Sequence, residues 1–312
     1  MAQPTLMFMG TPEFALPSLE KLVENGYEIV AVVTQPDRPK GRGKQLAPSP
    51  VKEAAIRCNI PVLQPQRVKD PSFMETLKQF SPDLIVVAAF GQILPREVLN
   101  FPPLGCINVH PSLLPKYRGA APLNWTLING ETRTGVTIMY MDEGLDTGDI
   151  LLQVETPVDP EETFGQLHDR LAVLGADLLI QTIQRLEAHQ APRRPQEDSL
   201  SSYAPMLKKE DGLIHWDEEA SAIVNRIRGL SPAPCAYTFL DGKTLKIFAA
   251  TGIEQPVPGK PGQVGNATKE GLQVAAKNGY VLLKDIQMEN RKRMSASDFL
   301  RGYKLSPDTI LG

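Results

Sequence analysis

Through the first 190 residues, short apolar runs alternate with stretches in which apolar positions recur at helical spacing. Thr5 to Met9 is apolar and closed by Gly10; Pro12 then opens a stretch carrying Leu16, Leu19, Leu22 and Val23 as far as Gly26. This predicts a strand, a tight turn and an amphipathic helix. Next come a strand at Ile29 to Val33, a polar loop from Gln35 to Pro48, a helix from near Ser49, a short strand at Val62 to Leu63 and a helix over Pro71 to Phe80. Such alternation belongs to repeated βαβ units. The run Leu84 to Phe90 is apolar at every position, as expected of a central parallel strand covered on both faces. A second buried strand at Cys106 to Val109, a helix over Ala121 to Ile128, a strand at Val136 to Met141 and a long helix from Thr163 to His189 complete the series. The fold class expected is α/β, with an N-terminal doubly wound, mostly parallel, Rossmann-like sheet over residues 1–189.

The pattern then changes. Gln190 to Pro205 holds prolines, serines and scattered charges without periodicity, and residues 190–207 read as a linker. Beyond it, one helix over Glu219 to Leu230 precedes strand-like runs at Tyr237 to Leu240, Leu245 to Ala250, Leu272 to Ala275 and Tyr280 to Leu283. Asp241-Gly242 and Asn278-Gly279 lie between such runs as hairpin turns. Residues 208–312 are therefore expected to form a small OB-like β-barrel, an architecture that commonly binds nucleic acid. Two domains also suit a chain of 312 residues.

Charge sharpens this division slightly. Residues 1–207 carry 18 basic and 24 acidic side chains, and residues 208–312 carry 15 and 12, so the C-terminal part is net positive while the whole is −3. A polyanionic partner is permitted, not required. No apolar run is long enough to span a bilayer and the start lacks the basic flank of a signal peptide, so a cytoplasmic protein is expected. Cys58, Cys106 and Cys235 are far apart and read as buried, reduced thiols. No large apolar helix face calls for assembly, and a monomer is expected.

In an open α/β sheet, ligands bind outside the carboxyl ends of the strands. One strand end carries chemistry: Asn108-Val109-His110-Pro111. Alternation along a strand puts Asn108 and His110 on one face, an amide beside an imidazole, and Pro111 ends the ladder there. The loop Ser112 to Gly119 follows at once. Acidic residues cluster after the next strand, in Asp142-Glu143-Gly144-Leu145-Asp146-Thr147-Gly148-Asp149, though spacing alone does not choose among them. His168, His189 and His215 read as structural or surface residues. No His, Cys, Asp and Glu set has metal-ligand spacing, and Gly10 belongs to no dinucleotide or phosphate-loop motif, so no metal, nicotinamide or ATP is expected. Arg38, Lys40, Arg42 and Lys44 put four cations into seven residues with glycines between them, which reads as an exposed, mobile loop or a clamp on phosphates.

Together Phe8 to Ala15, Pro36 to Gln45, Ala89 to Pro95, Asn108 to Gly119 and Leu145 to Asp149 closely resemble the methionyl-tRNA formyltransferase family over nearly the whole chain. The resemblance implies a catalytic set of Asn108, His110 and Asp146. It implies contacts to a folate from Ser112, Leu113, Leu114 and Pro115, with the backbone near Phe90 and Ile93 lining the pterin pocket; Phe90 stands where the family often has tyrosine. It also implies 10-formyltetrahydrofolate as co-substrate and methionyl initiator tRNA as partner, held by the Arg38 to Lys44 loop and the C-terminal barrel. The alternatives are the same chemistry on an amino-sugar nucleotide or another small amine, and a non-catalytic RNA-binding protein.

Overall fold

A computed structural model describes residues 3–40, 45–257, 259–306 and 308–312. Two compact units interleave along the chain. The first comprises residues up to Gly119, Thr134–Thr156 and His168–Tyr203; the second comprises Ala120–Arg133, Pro157–Leu167 and Ala204–Gly312.

In the first unit, β1 (Leu6–Gly10) is buried at every residue, as its unbroken apolar run requires. It leads through α1 (Leu16–Glu24) to β2 (Ile29–Val33), and a two-stranded antiparallel ribbon follows, β3 (Arg38–Lys40) with β4 (Gln45–Ala47). Ser49 caps α2 (Pro50–Arg57) by accepting from the Lys52 amide at 3.0 Å, which satisfies one of the orphan N–H groups of the first turn. Then come β5 (Val62–Leu63), α3 (Pro71–Phe80), β6 (Leu84–Ala88), α4 (Arg96–Leu99) and β7 (Cys106–His110). Past α5 (Pro122–Ile128), which belongs to the second unit, lie β8 (Arg133–Tyr140) and β9 (Ile150–Pro157), and α6 (Phe164–Glu187) follows. The strand order is β5-β2-β1-β6-β7-β8-β9. Pairing is parallel from β5 to β7 and turns antiparallel where β8 meets β7. The chain leaves β1 toward β2 on one side and returns to β6 on the other, so the carboxyl ends of β1 and β6 flank the topological switch point.

Three departures from the sequence pattern have local causes. The apolar run to Phe90 stops as strand at Ala88, because Ala89 (φ 46) and Gly91 (φ 82) take the left-handed backbone and turn the chain over the sheet edge. The region expected as a polar loop pairs as β3 and β4; three residues each, with Pro39 and basic side chains, offer no apolar alternation to read. Edge strand β9 went unread because most of its residues are half-buried or exposed.

In the second unit, α7 (Ala220–Leu230) packs on a sheet of β10 (Ala236–Leu240), β11 (Lys243–Glu254), β12 (Val264–Thr268), β13 (Gly271–Ala275), β14 (Gly279–Met288) and the short β15 (Met294–Ser295), followed by α8 (Ala296–Gly302). Its core joins Ile223, Ile227, Leu245, Ile247, Val281 and Ile286. Asp241 (φ 50) and Gly242 (φ 73) make the two-residue turn between β10 and β11, with Leu240 paired to Lys243. Asn278 has a different task from the one its Asn-Gly pair suggests. The β13 to β14 connection spans residues 276–278, and the Asn278 side chain accepts from the Ala220 amide at 2.9 Å, capping α7.

Strand pairing runs β10-β11-β14-β13-β12 and does not close edge to edge. The chain's last residues stitch the two edges instead: Val264 of β12 donates to the Thr309 carbonyl at 2.9 Å, and Gly312 donates to the Phe239 carbonyl of β10 at 3.0 Å. The second unit is thus an antiparallel sheet that no strand pairing among the described residues closes into a barrel.

Among the thiols, Cys106 and Cys235 are buried, whereas Cys58 is exposed at the end of α2, contrary to its expected burial. Desolvation pushes the Cys106 thiol up to about 12 and that of Cys235 up to about 11. Since the thiolate is the reactive form, an aromatic disulfide reagent at pH 8 should titrate one thiol of the native protein rapidly, that of Cys58, and all three after unfolding in denaturant.

Candidate active site

Strand β7 sets the site. Alternation sends Cys106, Asn108 and His110 to one face, and Cys106 joins the core of Met7, Met9, Ile85 and Val87 there. The opposite face lies against α6, so closely that a Cβ on Gly175 would stand 2.8 Å from Val109 Cγ1 and 3.3 Å from Val136 Cγ1. Asn108 is half-buried at the edge of that core, and its carboxamide hydrogen-bonds no described residue, which leaves both N–H donors for a ligand.

His110 is 4% exposed. Its Nε2 lies 3.0 Å from the Tyr117 carbonyl oxygen, an atom that can only accept, so Nε2 carries the ring hydrogen in the neutral imidazole. Nδ1 is then the basic ring atom, and it stands 3.7 Å from Asp146 Oδ2. That separation is too long for a hydrogen bond but short enough for strong attraction to an imidazolium. A proton arriving at Nδ1 sits beside the carboxylate.

Two loops hold this pair. In residues 111–119, the Leu114 amide donates to Thr137 Oγ1 at 3.2 Å, Thr137 Oγ1 donates to the Ser112 carbonyl at 2.7 Å, and Ser112 Oγ donates to the Lys116 carbonyl at 2.7 Å. Tyr117 (φ 61) turns its carbonyl back onto the imidazole. In residues 142–149, Asp142 Oδ1 accepts from the Gly144 amide and the Thr147 hydroxyl, and Asp146 (φ 55) presents its carboxylate to the Gly119 amide at 2.8 Å. The glycines bracketing these acids serve close approach, while the left-handed backbone falls on Asp146 itself. A Cβ on Gly148 would come within 1.9 Å of the Tyr140 carbonyl oxygen.

The residues expected at a folate are distributed unevenly. Ser112 and Leu114 are buried, the hydroxyl donating to the Lys116 carbonyl and the amide to Thr137 of β8, while Leu113 and Pro115 are half-buried. The Phe90 ring belongs to the core, and its backbone carbonyl accepts from Thr11 Oγ1 at 3.1 Å and Gln35 Nε2 at 3.3 Å. Ile93 is 87% exposed, so it stands out from the sheet edge. A cavity of about 440 Å³ opens at the ends of β1, β2 and β6, walled by Thr11, Gln35, Arg38, Ser49, Ala89 and Phe90 among others; Asn108 and His110 lie outside its wall, one strand further along the same carboxyl edge. Arg38 begins β3 and reaches Gln35 Oε1 at 3.4 Å. Arg42, Lys44 and the side chain of Lys40 lie outside the described residues.

Pattern reading missed Tyr117 and Gly119, which contribute a carbonyl and an amide. Any residue supplies those, so no side-chain signal could reveal them. The crowding at Gly148 predicts that Gly148→Ala, by forcing β8 from the loop, lowers the unfolding free energy by about 1–3 kcal/mol in a urea titration.

The formyl transferase family model matches residues 5–183, and the model for the formyl transferase C-terminal domain matches residues 206–304. The methionyl-tRNA formyltransferase of Syntrophus aciditrophicus is 77% identical over all 312 residues, covering 100% of both chains; that of Geotalea uraniireducens is 55% identical over 100% of this chain and 99% of its own. Among solved structures, the N-formyltransferase from Helicobacter canadensis in complex with folinic acid and dTDP-3-aminofucose superposes with a TM-score of 0.67, at 22% identity, over 94% of this chain and 100% of its own. HypX from Aquifex aeolicus in complex with tetrahydrofolic acid gives 0.67 at 17% identity, over 96% of this chain and 47% of its own. At those identities the two structures bear on the fold alone. The chain belongs to the formyl transferase family, in the branch of the methionyl-tRNA formyltransferases.

Proposed function

We propose that the chain moves a formyl group from 10-formyltetrahydrofolate to the α-amine of methionyl initiator tRNA, with Asn108, His110 and Asp146 as the catalytic set. The observation that carries the reading is the cluster at the end of β7: an amide with both donors free, two residues from an imidazole whose basic Nδ1 faces a carboxylate at 3.7 Å. Full-length similarity to curated methionyl-tRNA formyltransferases supports the choice of amine.

The folate supplies a formyl group on N10. As the amine nitrogen bonds to the formyl carbon, the C–N10 bond breaks, one proton leaves the amine and one is delivered to N10. Asn108 donates to the formyl oxygen as negative charge gathers there, a contribution typically worth about 10²–10³ in rate. His110 takes the amine's proton at Nδ1 and passes it toward N10, while Nε2–H stays on the Tyr117 carbonyl. Asp146 stabilises the imidazolium during that passage. Held by the Gly119 amide, its carboxylate meets the ring without reorganising. Donors for a folate fit the same edge: the Asn108 amide is unsatisfied, and the 440 Å³ cavity beside it is walled by apolar and polar groups together.

The tRNA requires a counter-charge that a small amine does not. The Arg38 to Lys44 segment and the net-positive C-terminal unit are assigned to it. No described helix is long and apolar enough to cross a membrane, which fits a partner met in the cytoplasm.

Incubation of the purified chain with 10-formyltetrahydrofolate and either methionyl initiator tRNA or an amino-sugar nucleotide tests the reading. Formylated tRNA is the expected product, and formylation of the small amine alone would overturn it. Asn108→Ala and His110→Ala should each lower kcat at least about 10²-fold while folate affinity, measured by calorimetry, is retained. Arg42→Ala should weaken tRNA binding and reduce the slope of log affinity against log salt by up to about one unit.

A further inference from the structure

The segment that follows α6 reads in the sequence as a linker, yet residues 193–203 lie against both loops of the catalytic cluster. Gln196 is the centre of this arrangement. Its carbonyl oxygen accepts from Arg118 Nε at 3.1 Å and from Arg118 Nη2 at 2.8 Å, and its amide nitrogen donates to the Asp146 carbonyl at 2.9 Å and the Gly148 carbonyl at 2.8 Å. All four hydrogen-bonding positions of the carboxamide are thus used. The orientation of the amide is also fixed by chemistry, since a guanidinium only donates and backbone carbonyls only accept. Arg118 itself is 2% exposed, and it reaches Asp198 Oδ1 at 2.8 Å as well.

Ser202 ties the other loop. Its hydroxyl accepts from the Tyr117 amide at 2.9 Å, its carbonyl accepts from the Arg118 amide at 2.9 Å, and its own amide donates to the Pro115 carbonyl at 3.3 Å. Tyr117 is the residue whose carbonyl holds His110 Nε2. One stretch of chain therefore fixes the backbone that carries Asp146 and the backbone that orients the imidazole.

We infer that Gln196 and Ser202 are positioning residues for formyl transfer: together they hold the Asp146 carboxylate in register with His110 Nδ1. The inference rests on the catalytic set proposed above. A glutamine is demanded because only a neutral carboxamide can accept from Arg118 on one side and donate to two carbonyls on the other. In Gln196→Glu the hydrogen bonds from Arg118 survive, but a carboxylate oxygen then faces the carbonyls of Asp146 and Gly148, and the loop is pushed away.

Steady-state formylation of methionyl initiator tRNA by the full chain tests this, with Gln196→Glu, Gln196→Met, Ser202→Ala and, as a control in the same segment, Ser199→Ala, whose hydroxyl bonds Glu197 alone among the described residues. Displacing a catalytic group by about 1 Å costs on the order of 10²-fold. Both Gln196 variants should therefore lose about 10- to 100-fold in kcat with both KM values within about twofold, Ser202→Ala should lose less, and Ser199→Ala should match the parent. In an Asp146→Asn background the Gln196 change should cost almost nothing further, because the two act as a unit. Parental kcat in Gln196→Glu and Ser202→Ala, or losses that multiply fully with that of Asp146→Asn, would overturn the inference while leaving the proposed function standing. An Asp146→Asn enzyme with full turnover would overturn the catalytic set and this inference together. If either Gln196 variant fails to fold, Ser202→Ala and its cycle with Asp146→Asn decide the matter by the same criteria.

Discussion

The hydrogen bond from His110 Nε2 to the Tyr117 carbonyl, 3.0 Å long and shut away from solvent, fixes which ring nitrogen of His110 is left basic. Were Nε2 free, the imidazole could present either nitrogen to a substrate, and the neighbouring carboxylate would have no fixed partner. With Nε2–H committed, the basic atom is Nδ1, and the Asp146 carboxylate 3.7 Å away acts on that atom alone. The rest of the site serves this selection. Tyr117 takes a left-handed backbone to aim its carbonyl at the ring, and Asp146 takes one to aim its carboxylate at the Gly119 amide. Two non-glycine residues in the left-handed region that glycine favours, one on each loop, are the kind of local strain that persists where surrounding contacts over-determine the backbone.

Those contacts come from parts of the fold with different duties. The parallel strands through β7 bring Asn108 and His110 to the carboxyl edge, and the antiparallel strand β8 turns the acidic loop back toward them. Thr137 on β8 is paired in register with His110 and threads the Ser112 to Leu114 loop through its hydroxyl. Gly148 lets the 142–149 loop approach Tyr140 more closely than any side chain would permit. Function here is built from backbone carbonyls and amides as much as from side chains, which explains how two unremarkable loops can place an amide, an imidazole and a carboxylate together.

Legibility followed the same division. Unbroken apolar runs such as Leu84 to Ala88 announced buried parallel strands, and the period-two alternation through Asn108 and His110 announced their shared face. The choice of Asp146 from its acidic neighbours came from resemblance to a family, since its selection depends on a φ of 55 and an amide 27 residues away that no spacing encodes. The ribbon of β3 and β4, three residues a side with a proline in one of them, has no apolar stripe to detect. Asn278 was legible as a turn residue, but its bond to the Ala220 amide is a tertiary contact. Residues 190–203 misled most. Their prolines and charges suggest a tether, but the Gln196 and Ser202 side chains bond the backbone of loops 111–119 and 142–149.

The central claim is that the Asn108 amide polarises the formyl oxygen at the end of β7. Isotope-edited infrared spectroscopy of the ¹³C-labelled formyl group on bound 10-formyltetrahydrofolate reads that contact directly. The account predicts that the carbonyl stretch falls to lower frequency on binding to the parent chain and returns toward its solution value in Asn108→Ala. The same frequency in both complexes would contradict it.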